Sequence, residues 1–184
     1  MTKIILETER LILRHVDPDK DFDAWADCFS DDKTMRFIGG KPMCRAAAWR
    51  HMATVMGHQA IRGYSFYSVI EKSSGAWVGR VGPWNPIGWP EPEVGWTIHR
   101  DYWRKGYAKE AARACIDYAF ETLGWDKVIH SIETENTASI KTAEALGSKR
   151  LYKIDELPPF TIEDLWAYGQ SKADWAAARQ RTKA

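Results

Sequence analysis

The sequence predicts an α/β (α+β) domain, a mixed sheet with helices packed on it. Two observations carry this. Segments alternating with period two and segments of helical spacing follow one another in the order β-α-α-β-β-β-α-β-α-β-β. At mid-chain one stretch passes directly from the first period to the second. Val94, Trp96 and Ile98 alternate with Glu93, Gly95, Thr97 and His99, and Ala108, Ala111, Ala112, Cys115, Ile116, Ala119, Phe120 and Leu123 then keep one helical face until Gly124. With 184 residues the chain is long enough for one domain with a real core, spanning 1–184, of which 171–184 form a tail or short surface helix.

In chain order, Thr8–Val16 alternates as a first strand, and Pro18 is placed for the first turn of a helix whose stripe is Phe22, Trp25, Ala26 and Phe29. The acids Asp17, Asp19, Asp21, Asp23, Asp27, Asp31 and Asp32 crowd this segment, as a solvated helix face or as a rim attracting a cationic amine. After Gly39-Gly40, Pro42 opens a second helix, with Trp49, Met52 and Met56 expected in the core and an end before Gly63. Tyr64–Ile70 and Trp77–Val81 read as strands joined by the polar turn Glu71–Gly75. Pro83–Pro92 holds too many prolines for regular structure; its Trp84 and Trp89 either wall a pocket or cap the core. Lys127–Ile132 is a buried strand, Asn136 suits a helix N-cap and Gly147 the residue past that helix, and Ser148–Ile154 and Glu163–Tyr168 close the sheet.

Composition narrows the function. Net charge is +1, which points to neither nucleic acid nor an anionic membrane. Met1–Glu7 lacks the apolar run of a signal peptide, and no stretch approaches a membrane span. Cys28, Cys44 and Cys115 are scattered without metal-ligand spacing, which predicts a reduced cytoplasmic protein with no disulfide and no metal.

Between the central strand and its helix lies a basic turn carrying Arg100, Arg104, Lys105 and Gly106. Unpaired amides at a helix N-terminus carry partial positive charge and suit a phosphate, and glycine lets the backbone come close to it. The same residues also suit a plain solvated helix start.

Taken together, Thr8–Arg14, Val78–Gly82, Glu93–Trp96, Tyr102–Ala111, Glu135–Ser139 and Ala145–Gly147 resemble the GNAT superfamily of acyl-CoA-dependent N-acetyltransferases, within it the RimJ/RimL-like branch of ribosomal-protein N-terminal acetyltransferases. The likeness covers nearly the whole chain. It implies a twisted, mostly antiparallel sheet of about seven strands, helices on both faces and a splayed strand pair that binds acyl-CoA. It implies acetyl-CoA as co-substrate, its pyrophosphate on the amides of Arg104, Lys105, Gly106, Tyr107 and Ala108, and its pantetheine arm along Trp96, Thr97 and Ile98 and near Asn136 and Ser139. Trp103 stands where the family pattern has Gln or Arg, a departure tolerable where contacts are made by backbone.

Acetylation of an amine needs a base for its proton, a polarised carbonyl and a proton for the leaving thiolate. Glu93 is the first choice of base, its alternative being a solvated carboxylate at a strand start; His99 and His130 rank below it. The family tyrosine seven residues after Asn136 is replaced by Ala143, so the resemblance implies Ser139 as the acid, with Tyr152 a weaker candidate. The acceptor is a small-molecule or peptide primary amine, with Trp84 and Trp89 shaping its site, and the protein is a monomer or homodimer. The competing expectation is a non-catalytic acyl-CoA sensor or interaction domain.

Overall fold

The computed structural model describes residues 3–157 and 164–183. The elements are β1 (Ile4–Glu7), β2 (Leu11–Arg14), α1 (Pro18–Ser30), a short α2 (Asp32–Met35), α3 (Arg45–Arg62), β3 (Tyr67–Glu71), β4 (Trp77–Trp84), β5 (Glu93–Ile98), α4 (Tyr107–Glu121), β6 (Lys127–Glu133), α5 (Thr137–Ala145), β7 (Lys149–Lys153), β8 (Leu165–Ser171) and α6 (Lys172–Lys183). The sheet has eight strands in the order β1-β2-β3-β4-β5-β6-β8-β7. Its pairs are antiparallel except β5–β6, which is parallel.

Period-two alternation sorts the sheet residues onto two helical layers. Leu11, Leu13, Val69, Val81 and Val94 meet Ala111, Cys115, Ile116 and Phe120 of α4. On the opposite face, Phe66 and Trp77 meet Trp25 and Phe29 of α1 and Met52 and Val55 of α3. The expected helices on both faces are thus present.

Several expectations need correction. The count of about seven strands omitted β1, a four-residue edge strand flanked by polar residues whose side chains are only partly covered. Pro83 and Trp84 belong to β4, paired with Val94 and Glu93, not to an irregular loop. Pairing from β3 ends at Tyr67↔Val81, so Pro83 sits where one side of the strand has no ladder to serve. Pro42 precedes α3, which starts at Arg45 after an N-cap at Cys44. Trp49 is 56% exposed: the buried stripe is Ala48, Met52 and Val55, and Trp49 lies one step around the helix from it. The last strand starts at Leu165, and Pro158–Glu163 lie outside the described residues. The 171–184 tail is more than a surface helix, because Trp175 is buried and its Nε1 donates to Asp117 of α4 at 2.7 Å.

Most of the acidic segment is engaged in ion pairs and hydrogen bonds. Asp21 accepts from Arg14 and Ser68, Asp23 pairs with Arg45, Asp27 with His99, Asp31 with Arg100 and Asp17 with Lys20. Asp21, Asp23, Asp27 and Asp31 thus tie this segment to its neighbours, while Asp23 and Asp27 stay largely exposed, as a solvated helix face has them.

Candidate active site

The site begins where the sheet cracks. β5 and β6 share one register pair, Glu93↔Ile129, against six between β4 and β5. Past that rung His130 replaces the missing ladder. Burial pushes its pKa down to about 4, so the ring is neutral at ordinary pH. Its Nδ1–H then donates to the Val94 carbonyl at 2.6 Å, and its Nε2 accepts from Ser148 Oγ at 3.0 Å. Gln170 Nε2 donates in turn to Ser148 Oγ at 3.0 Å and to the Leu146 carbonyl at 3.1 Å. His130 is a strut across the crack, not a base.

Beyond the strut, the freed edge of β5 faces a cavity of about 860 Å³. Trp96, Thr97 and Ile98 line it, as do Arg104, Gly106, Tyr107, Ala108, Asn136, Ser139, Trp84, Trp89 and Glu93. Residues drawn from segments far apart in sequence therefore share one wall. Lys105 is the exception among the anticipated residues. Its ammonium sits 4.7 Å over the Tyr102 ring and its carbonyl accepts from Arg10 Nη1 at 3.0 Å, leaving only its amide to the turn.

At one end, the turn into α4 has an unusual backbone. Arg104 (φ 61°) is the non-glycine residue with positive φ among those described, and Gly106 (φ 81°) is the N-cap of α4. Left-handed residues so close together curl successive N–H groups toward one side, and no side chain caps this helix start. The turn is braced from outside. Arg10 Nε donates to Glu110 Oε2 at 2.7 Å, while the Arg10 amide at 2.9 Å and Thr8 Oγ1 at 2.6 Å both donate to Glu110 Oε1. Trp103 Nε1 donates to the Ile98 carbonyl at 2.6 Å and pins the turn to β5. The Thr8–Arg10 segment, read as the start of a strand, is this brace.

At the other end, Glu93 is buried and is not a solvated strand-start carboxylate. Ser131 Oγ and Trp89 Nε1 each donate to its Oε2 at 2.7 Å. Burial raises its pKa; the hydrogen bonds and the nearby Arg80 cation oppose that rise without cancelling it. Trp89 therefore holds the carboxylate. Trp84 stacks on His58 with centroids 4.2 Å apart, so it both lines the cavity and closes the core.

Asn136 caps α5, its Oδ1 accepting from the Ser139 amide at 3.1 Å. Ser139 Oγ accepts from Trp96 Nε1 at 3.2 Å, which leaves its own proton to donate. Ala143 is buried, and Tyr152 is not part of the cavity wall. His99 is held by Asp27 at 2.8 Å and accepts from the Asp101 amide. Sequence reasoning missed Arg80, Phe66, His51 and Val55, which line the same cavity as Glu93. The available signal was Arg80, a charge inside an otherwise apolar strand.

Residues 10–149 match the family model of the acetyltransferase (GNAT) domain. The chain is 28% identical over 176 residues to the N-acetyltransferase p20 of Bacillus licheniformis, covering 93% of this chain and 98% of that one. A crystal structure of an acetyltransferase from Agrobacterium tumefaciens superposes with a TM-score of 0.78 at 27% identity, covering 94% of this chain and 95% of that one. The ribosomal-protein-S5-alanine acetyltransferase of Vibrio fischeri shares the fold at a TM-score of 0.72 and 18% identity, over 94% of this chain and 99% of that one.

The class defined by this cracked sheet and basic helix start is thus the acetyltransferases. The chain belongs to the GNAT family, whose members use acetyl-CoA.

Proposed function

We propose that the protein moves an acetyl group from acetyl-CoA to a primary amine by direct attack in a ternary complex. The observation that carries this is the single cavity joining the left-handed turn at Arg104–Gly106 to the buried Glu93. The residues present fit the cofactor. The amides of Arg104–Ala108 form a cradle that favours a pyrophosphate, and the β5 edge at Trp96 and Ile98, which no β6 ladder covers and of which Trp103 takes the Ile98 carbonyl, offers its remaining backbone groups to the pantetheine arm. When bound, acetyl-CoA supplies an activated thioester.

Glu93 takes the amine proton, its carboxylate held in place by Ser131 and Trp89. Ser139 Oγ is the candidate donor to the departing thiolate, oriented by Trp96 and by the cap at Asn136. Trp84 and Trp89 bound the acceptor end. We further propose a RimJ/RimL-like, cytoplasmic protein, monomer or homodimer, in which 1–184 is one domain with its C-terminal helix packed in place through Trp175. The motifs from Thr8 to Gly147 support the branch, and the acceptor is a protein N-terminus or a small-molecule amine. A non-catalytic sensor of the same fold is not favoured, because the buried, raised-pKa Glu93 has no use in mere binding.

Calorimetric titration with acetyl-CoA, with NAD and ATP as controls, tests the cofactor; release of free thiol in the presence of an amine panel tests turnover. Micromolar binding of acetyl-CoA alone is expected. Absence of binding by the folded protein would overturn the assignment.

A further inference from the structure

The cavity wall holds a buried cation that no carboxylate among the described residues touches. Arg80 projects from β4 onto the face covered by α1 and α3 and is 7% exposed. Its guanidinium lies 3.9 Å over the Phe66 ring, 5.3 Å over Phe29 and 5.8 Å over Trp25. Aromatic faces compensate a buried cation in part, but they satisfy none of its five in-plane donors. Among the described residues no carboxylate comes within 4.0 Å of it and no side-chain hydrogen bond is made; Nε is buried without a partner. The contrast within the molecule is sharp. Arg10, Arg14, Arg36, Arg45, Arg100 and Arg179, all more accessible, each have a carboxylate partner. A buried guanidinium is costly unless paired. Burial lowers its pKa to about 10, so it remains charged at neutral pH.

The sheet register places this cation opposite the candidate base. Arg80 pairs with Thr97 and Trp84 with Glu93, so Arg80 and Glu93 share one face, separated by the pair Gly82↔Gly95. Four residues of strand set their backbones roughly 13 Å apart, and both long side chains narrow that gap. The floor between them is the Phe66 ring, which occupies the space above Gly95: a Cβ there would fall 2.9 Å from Phe66 Cε1. Lys33 also lines the cavity, and Glu93 is the single carboxylate in its wall among the described residues.

We propose that the acceptor is a small amine that also carries a carboxylate, an amino-acid-like zwitterion. Its carboxylate is taken by Arg80 and its amine is presented to Glu93. This rests on the acetyl-transfer function proposed above. A polyamine or a lysine side chain brings nothing to Arg80 and would add a second positive charge beside it. The arrangement thus reverses the preference for a cationic acceptor that the acidic first helix suggested.

The test is thiol release from acetyl-CoA by the full chain with matched acceptors: leucine, methionine and phenylalanine against their carboxamides, with spermidine and a short peptide bearing a free N-terminus. The acids are expected to exceed their amides in kcat/KM by on the order of 10–100-fold, the worth of one charge-assisted pair. Arg80→Gln is expected to erase that ratio by raising KM for the acids, and Arg80→Lys to restore part of it. Binding of acetyl-CoA by each variant reports that it is folded. If Arg80→Gln does not fold, the wild-type ratio of acid to amide decides alone. Equal or better turnover of amides, spermidine or the peptide overturns the proposal, as does turnover of none of the acids, or a ratio unchanged in Arg80→Gln. Failure of the wild type to bind acetyl-CoA overturns the underlying function, a different and separately visible result.

Discussion

The two ends of the cavity are built on different principles. The turn at Arg104–Gly106 is a backbone device: positive φ values, free amides and an outside brace from Arg10. The Glu93 end is a side-chain device, in which burial, two donors to one carboxylate and a cation stacked on Phe66 set the electrostatics. A backbone site depends on conformation and tolerates changes of side chain, as Trp103 and the averted Lys105 illustrate. A side-chain site depends on individual groups. It can therefore differ between relatives that share the fold, which is where acceptor choice belongs.

Substitutions at the two ends should separate these principles. The largest effect is expected for Glu93→Gln, which keeps the shape of the carboxylate pocket but removes the proposed base. Loss of kcat/KM should be about 10²–10⁴-fold, with acetyl-CoA affinity retained. Because Glu93 is raised, the wild-type rate should climb with pH through a value above the ordinary carboxylate range, and that limb should vanish in the variant. The stability sign is opposite. A carboxyl raised on folding stabilises fully below its unfolded value of 4.5 and loses that contribution as pH rises through the folded one. Thermal melts should thus find Glu93→Gln no less stable than wild type at pH 7, whereas a purely structural Glu93 would give an unstable variant with unchanged specific activity.

At the backbone end, Gly106→Glu forces a side chain into φ 81° and sets a carboxylate at the cradle. Acetyl-CoA affinity should fall on the order of 100-fold in calorimetry, with strain and charge acting together. Unchanged affinity would show that the phosphates bind elsewhere. The smallest effect is expected for Arg10→Ala. Its partly exposed pair with Glu110 is worth little in itself, but the Lys105 carbonyl loses its donor. A few-fold rise in KM for acetyl-CoA, with KM for the acceptor unmoved, is the outcome on the order of one lost hydrogen bond. Equal movement of both constants would mean that the two ends are not separable.

The same division explains what could be read from the chain. Gly106, Asn136 and the alternation of Val94, Trp96 and Ile98 are local signals: a turn, a cap and a strand each announce themselves within a few residues. Their assembly around one cavity follows the family order of motifs. The pairing of Glu93 with Trp89 and Ser131, and the position of Arg80 opposite it, depend on register between strands and on a loop folding back. No local pattern encodes these. Helical spacing also could not decide which of Trp49 and Met52 faces inward, since a stripe one residue wide has two plausible centres. That the acids in and beside α1 are also paired could not be read locally, because their partners, Arg14, Arg45, His99 and Arg100, lie in other segments.

The crack itself has a thermodynamic consequence. β1–β5 and the trio β6, β8, β7 are two half-sheets joined across β5–β6 by one register pair, the His130 strut and the Ser131–Glu93 hydrogen bond, with α4 packed over the join. Such halves are natural units of partial opening, each cooperative within and weakly coupled to the other. A molecule lodged between them is mortar as well as substrate. By mass action it adds about 2.7 kcal/mol at a hundred times its dissociation constant, and here that free energy falls on the seam where the sheet is thinnest. Acetyl-CoA bound there would tie the two half-sheets together where their own backbone pairing is thinnest.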